Sequence, residues 1–190
     1  MRKSKAETAE TRQRIVEVAA GLFRANGIHA TGLADVMATA GLSHGGFYRH
    51  FESKDQLVAE ACEQGLIGIV GNLEAAAQGC EGHDAFNAVV DAYLSTSHRN
   101  APERGCPLAG MGSELARADE GTRAAAVRGF DALVDMLATR LGSAQDEADR
   151  SRATFALAAM IGGMTMARIM ADPEASAALL QDIRQQIESI

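Results

Sequence analysis

The sequence predicts an all-α fold, with an N-terminal three-helix head carrying a helix-turn-helix and a larger helical domain behind it. Three observations predict this. Apolar residues recur at helical spacing along the chain and give no convincing strand. The stretch 32–54, GLADVMATAGLSHGGFYRHFESK, reads as a helix, a glycine break and a second short helix. Beyond it, segments at 78–82, 98–105 and 142–146 divide the chain into pieces of helix length.

The first helix is expected over 9–26, where Ile15, Ala19, Leu22 and Phe23 form one apolar stripe and Asn26-Gly27 ends it. The second, 33–40, places Leu33, Val36, Met37 and Ala40 on one face. Gly41 then supplies a left-handed turn residue. Ser43 is a natural N-cap for a third helix over 44–51, with Phe47 and Phe51 four apart on its inner face. Ser53 with Gln56 is a capping-box pattern opening a long fourth helix. A helix carrying Phe86, Val89, Val90, Tyr93 and Leu94 follows, and Pro107 opens a short one. Val127 through Leu141 marks the next, Ser143 with Asp146 caps a long helix to about Ala171, and Asp172-Pro173 starts the last.

With 47% hydrophobic and 23% charged residues, the composition is that of an ordinary globular protein. No apolar run reaches the roughly 18 residues of a membrane span, and the N-terminus lacks a signal-peptide core. Three cysteines without framework spacing (Cys62, Cys80 and Cys106) fit a reducing compartment, so a cytoplasmic location is expected. The net charge of −7 is unevenly spread. Residues 1–58 carry eight Lys/Arg and six Asp/Glu, the remainder ten and nineteen, so a head of +2 precedes a body of −9. That division suits a protein that approaches phosphates end-on, although an ordinary acidic protein with a basic tail gives similar numbers.

The chemistry concentrates in 43–54. His44, Gly45, Tyr48 and Arg49 fall opposite Phe47 and Phe51, with the capping Ser43 before them and His50 and Lys54 after. Each interior helical glycine costs about 1 kcal/mol against alanine, so Gly45-Gly46 is unexpected in a purely structural helix. Close approach to phosphates or base edges explains the pair better than a simple extension of the turn. Tyr48 and Lys54 are expected on phosphates, Arg49 and His44 on base edges, with Ser43 beside them. The Arg2-Lys3-Ser4-Lys5 tail either follows a groove or is a solvated end.

The run Ala40-Gly41-Leu42-Ser43, Gly45, Phe47-Tyr48, His50-Phe51, Ser53-Lys54 and Leu57 resembles the signature of the tetracycline-repressor (TetR) family of bacterial regulators. Its HGGFYRHF form resembles one arm of that family. Gly32 departs from the Thr or Ser, and Met37 from the small Ala, of many members. The resemblance implies a homodimer on a palindromic double-stranded DNA operator, released by a small-molecule inducer. It also implies a DNA-binding domain over 1–58, with ligand binding and dimerisation in 59–190.

The body is less informative. Residues 155–170, FALAAMIGGMTMARIM, are apolar or small nearly throughout, as for a helix covered on all sides, whether in its own core or, with the last helix, against a second copy as a four-helix interface. Phe86, Tyr93, Met111, Phe130, Phe155, Met160 and Met164 are as expected in plain core as in a pocket wall, so no ligand-binding residue is assigned. No cofactor is implied. Cys80 and His83 offer two metal ligands where a structural zinc needs four. No nucleophile–base or phosphate-loop pattern is present, which leaves a small helical enzyme the weaker alternative. Cys106 lies before a proline-led helix and two residues after Arg104, the setting of a thiolate sensor, though an inert buried thiol is the more common outcome.

Overall fold

The computed structural model describes residues 5–190, so Arg2 and Lys3 of the basic tail lie outside the described residues. Among the described residues the regular elements are all helical. They are α1 (Lys5–Asn26), α2 (Leu33–Thr39), α3 (Lys54–Ala76), α4 (Gly82–Tyr93), α5 (Thr96–Asn100), α6 (Pro107–Leu115), α7 (Glu120–Leu141), α8 (Glu147–Ile169) and α9 (Pro173–Ile187). Two 3-10 turns, His44–Arg49 and Pro102–Arg104, complete the order.

The head is built as its pattern requires. Ile15, Ala19 and Phe23 of α1 pack with Val36 and Met37 of α2, Phe47 and Phe51, and Leu57 of α3, all buried. Gly41 has φ +72°, which lets Gly41 N–H donate to Ala38 O and Leu42 N–H to Met37 O, closing α2. Ser53 accepts from Gln56 N–H at 3.1 Å, and Gln56 reaches back to Glu52 N–H at 2.7 Å. That cap starts α3, whose 23 residues run from the head along α7 of the body. In the body, α7 packs on α8 and α8 on α9, and one apolar cluster extends from Ile15 to Ile187.

Several expectations are corrected. The third helix is a 3-10 turn over His44–Arg49 and does not continue to Phe51, because two glycines weaken any α-helical start. Ser43 has the extended backbone of an N-cap, but its hydroxyl caps nothing. The 98–105 segment is not a plain loop: it lies across the end of α5 and the 3-10 turn Pro102–Arg104. The N-cap of α8 is Asp146, which accepts from Asp149 N–H at 2.9 Å, and Ser143 instead donates its N–H to Asp149.

The apolar helix α8 is not covered on all sides within one protomer. Ala156, Leu157, Met160, Gly163, Met164 and Ala167 are buried, whereas Phe155 (62% exposed), Met166 (48%) and Ile169 (68%) form an outward stripe. No helix of the described residues is long and apolar enough to cross a membrane.

Candidate nucleic-acid interface

Phe47 organises the recognition segment. Fully buried, it stacks on Phe51 at 5.4 Å and meets Tyr48 edge-on at 5.1 Å. With that anchor inward, Ser43, His44, Gly45, Tyr48 and Arg49 emerge on one exposed surface, Tyr48 at 69%. A Cβ built on Gly45 meets nothing within 4 Å, so folding places no demand for glycine there. The surface carries hydroxyl, imidazole, phenol and guanidinium groups around a bare backbone, as hydrogen bonding into a groove requires.

His50 and Lys54 are placed differently from those five. His50 is half-buried, and its carbonyl accepts from Arg12 Nε at 3.3 Å. Arg12 also lies 4.6 Å over the Phe51 ring and pairs with Glu60 at 2.6 Å, so α1 and α3 jointly hold the end of the segment. The Lys54 ammonium turns inward and donates to Ile28 O and Thr31 O, both at 2.7 Å. It therefore grips the 27–31 turn between α1 and α2.

Glu114 of α6 holds the same turn from the body side. Its carboxylate accepts from Ile28 N–H at 3.0 Å, from His29 N–H at 2.8 Å, and contacts His29 Nδ1 at 2.8 Å. Burial alone works to raise its pKa, but the hydrogen bonds from His29 and Ile28 outweigh it and hold the carboxyl below the usual glutamate range. The sequence signalled neither grip, since Glu114 lies 86 residues from Ile28 and follows no local pattern.

Cys106 is fully buried. Burial pushes its thiol above the ordinary range, more than the Tyr93 hydroxyl and the N–H groups of Ala109 and Leu108 draw it down. Arg104 sits at the surface against Glu103, and the cation that does act on the thiol, Arg168, lowers its pKa less than burial raises it. This setting is that of an inert thiol and speaks against the sensor alternative. Cys80 and His83 are exposed, and among the described residues no three metal-ligating side chains converge.

Residues 15–61 match the profile of the bacterial regulatory proteins of the tetR family, and residues 82–183 match that of the tetracyclin repressor-like C-terminal domain. The chain belongs to the TetR family. An uncharacterized HTH-type transcriptional regulator of Mycobacterium tuberculosis is 31% identical over 175 residues, covering 85% of this chain and 86% of the relative. The HTH-type transcriptional regulator AcrR of Shigella flexneri is 41% identical over 73 residues, 38% of this chain and only 34% of its own length. A TetR-family regulator from Cytophaga hutchinsonii superposes with a TM-score of 0.80 over 99% of this chain and 98% of its own, at 22% identity, a likeness of fold alone. As a TetR-family member the protein is a ligand-responsive, DNA-binding transcriptional regulator and not an enzyme.

Proposed function

We propose that this TetR-family regulator grips double-stranded DNA through the outward surface of 43–49 and represses from a palindromic operator. The observation that carries the reading is the separation of roles within seven residues: Phe47 is spent on the core while Ser43, His44, Tyr48 and Arg49 are exposed beside an unobstructed Gly45. Tyr48 supplies a phosphate contact, and Arg49 with His44 reads base edges. Lys54 and His50 act indirectly, by fixing the 27–31 turn and the end of the segment. The HGGFYRHF segment supports membership of the family arm that it resembles.

The head is assigned to 1–58 and the regulatory body to 59–190, with α3 as the shared shaft. Two bodies join through the outward stripe of α8, where Phe155, Met166 and Ile169 flank the small Ala158 and Gly162. Covering such a stripe is worth about 25 cal/mol per Å² of apolar surface. A twofold dimer presents two recognition segments, so the operator is an inverted repeat with half-site centres about one helical turn, or a multiple, apart.

Selection of bound duplexes from a random pool tests the reading. An inverted repeat is expected. A single asymmetric site, or no enrichment, contradicts it.

A further inference from the structure

We propose that a cleft between head and body binds a small organic carboxylate, held by Arg24, Arg99 and Arg168. The cleft has a volume of about 530 Å³ and opens where the end of α1 meets α5, α6 and the end of α8. Small-molecule sites of about 300–1,000 Å³ are common, and an inorganic anion alone needs far less. Among the described residues the three guanidiniums are its only charged lining groups, two of them from a body whose formal charge is −9.

Among the described residues none of the three has a carboxylate partner. Arg24 Nη1 donates to Gly105 O at 3.3 Å, and its Nε is buried without a partner. Arg168 gives Nη2 to His98 O at 2.9 Å and Nε to Arg99 O at 3.3 Å, while its Nη1 is buried without a partner. Arg99 reaches Ser176 Oγ at 2.9 Å, Asn100 Oδ1 at 3.0 Å and Pro173 O at 3.4 Å. Burial lowers the pKa of Arg24 and of Arg168 and Glu103 works against it in both, but Glu103 itself pairs with Arg104 and does not line the cleft. Neutral carbonyls hold the guanidiniums in place, and among the described residues no carboxylate closes an ion pair with them.

The backbone is shaped to seat them. A Cβ on Gly65 would lie 2.7 Å from Arg24 Nη1 and 2.8 Å from Pro107 Cγ, and one on Gly105 would lie 2.5 Å from Arg168 Nη2. Only glycine at both positions lets the two arginines sit this deep. Half-buried cations without a counter-ion are costly, and a planar carboxylate that accepts two N–H groups relieves that cost with fixed geometry. The other walls, including Ala109, Ala167 and Met170, suit an apolar body attached to the acid group.

Arg24 belongs to the head, Arg99 and Arg168 to the body. A carboxylate bridging them alters the same junction that Glu114 holds, at the turn that Lys54 also grips, and so biases the setting of the recognition segment. This coupling rests on the regulatory reading above, whereas the binding site does not.

Calorimetric titration of the full-length protein with benzoate and hexanoate tests the site, with benzamide and inorganic phosphate alongside. A carboxylate should bind at least about tenfold more tightly than benzamide. Arg99→Gln, which removes charge, and Met170→Trp, which narrows the mouth and keeps all three arginines, should each weaken it by about tenfold or more. Absence of carboxylate binding at millimolar concentration, equal binding of benzamide, preference for phosphate, or indifference to both variants overturns the site. DNA affinity is measured separately, with and without the bound carboxylate. An unchanged affinity overturns the coupling, and a protein that binds no DNA overturns the regulatory reading while the titration still decides the cleft.

Discussion

The recognition segment and the head–body junction both depend on polar side chains held close to the backbone, but they use them in opposite ways. At 43–49 the apolar residue is buried and the polar ones are released to solvent, so folding is satisfied without Arg49, His44 or Ser43. At the junction Glu114 and Arg24 turn inward onto main-chain groups across head and body, as Lys54 does within the head and Arg168 within the body. The first region stays open for a partner. The second ties the body to the head.

Phe47→Ala gives the largest effect and tests where the segment is anchored. Removing a fully buried phenylalanine should cost about 3–5 kcal/mol of unfolding free energy, read by urea denaturation, and should abolish DNA binding with it. A loss below about 1 kcal/mol would mean the segment is not hung on this ring.

Lys54→Met sharpens the contrast, because it keeps the length of the side chain and removes its donors. With Ile28 O and Thr31 O left unserved, stability should fall by about 1.5–3 kcal/mol. The salt dependence of DNA binding should change little, since the ammonium is already engaged. A slope reduced by about one unit, with stability intact, would return Lys54 to a direct phosphate contact.

The smallest effect is a pH dependence in the body. His98 donates Nδ1–H to Tyr93 O at 2.6 Å and accepts from Cys106 N–H through Nε2 at 3.0 Å, an arrangement only the neutral ring can make. Burial lowers its pKa, the Tyr93 carbonyl raises it, and Arg168 lowers it, with a net shift downward. The unfolded chain therefore takes up this proton first. Stability from His98 is complete above about pH 6.5, the ordinary imidazole value, and is lost as pH falls from there toward the folded pKa. Urea midpoints at pH 7.5 and 5.5 should differ more for the wild type than for His98→Gln. Equal differences would remove His98 from the account.

The sequence made the head legible because its signals are local. Gly41 in the turn, Phe47 and Phe51 four apart, and the Ser53–Gln56 cap each act within a few residues. The helical class of the body was legible for the same reason. The 3-10 character of His44–Arg49 was not, since glycine pairs weaken an α-helix without specifying what replaces it. Nor was the inward turn of Lys54, because an ammonium beside a helix start serves a phosphate or a pair of carbonyls equally well. The α8 pattern was apolar on every side, so periodicity could not tell the core face from the stripe of Phe155, Met166 and Ile169. Arg24, Arg99 and Arg168 come together only through tertiary structure, 75 and 69 residues apart along the chain.

The central claim is that the outward face of the recognition segment reads DNA while contributing almost nothing to the fold. Paired measurements on Arg49→Ala, of unfolding free energy and of affinity for the selected operator, test it directly. Because Arg49 is exposed, unfolding should change by less than about 0.5 kcal/mol, while operator binding weakens by about 1–3 kcal/mol with discrimination lost at one base pair per half-site. Unaltered operator affinity, or a loss of affinity matched by an equal loss of stability, would contradict the claim.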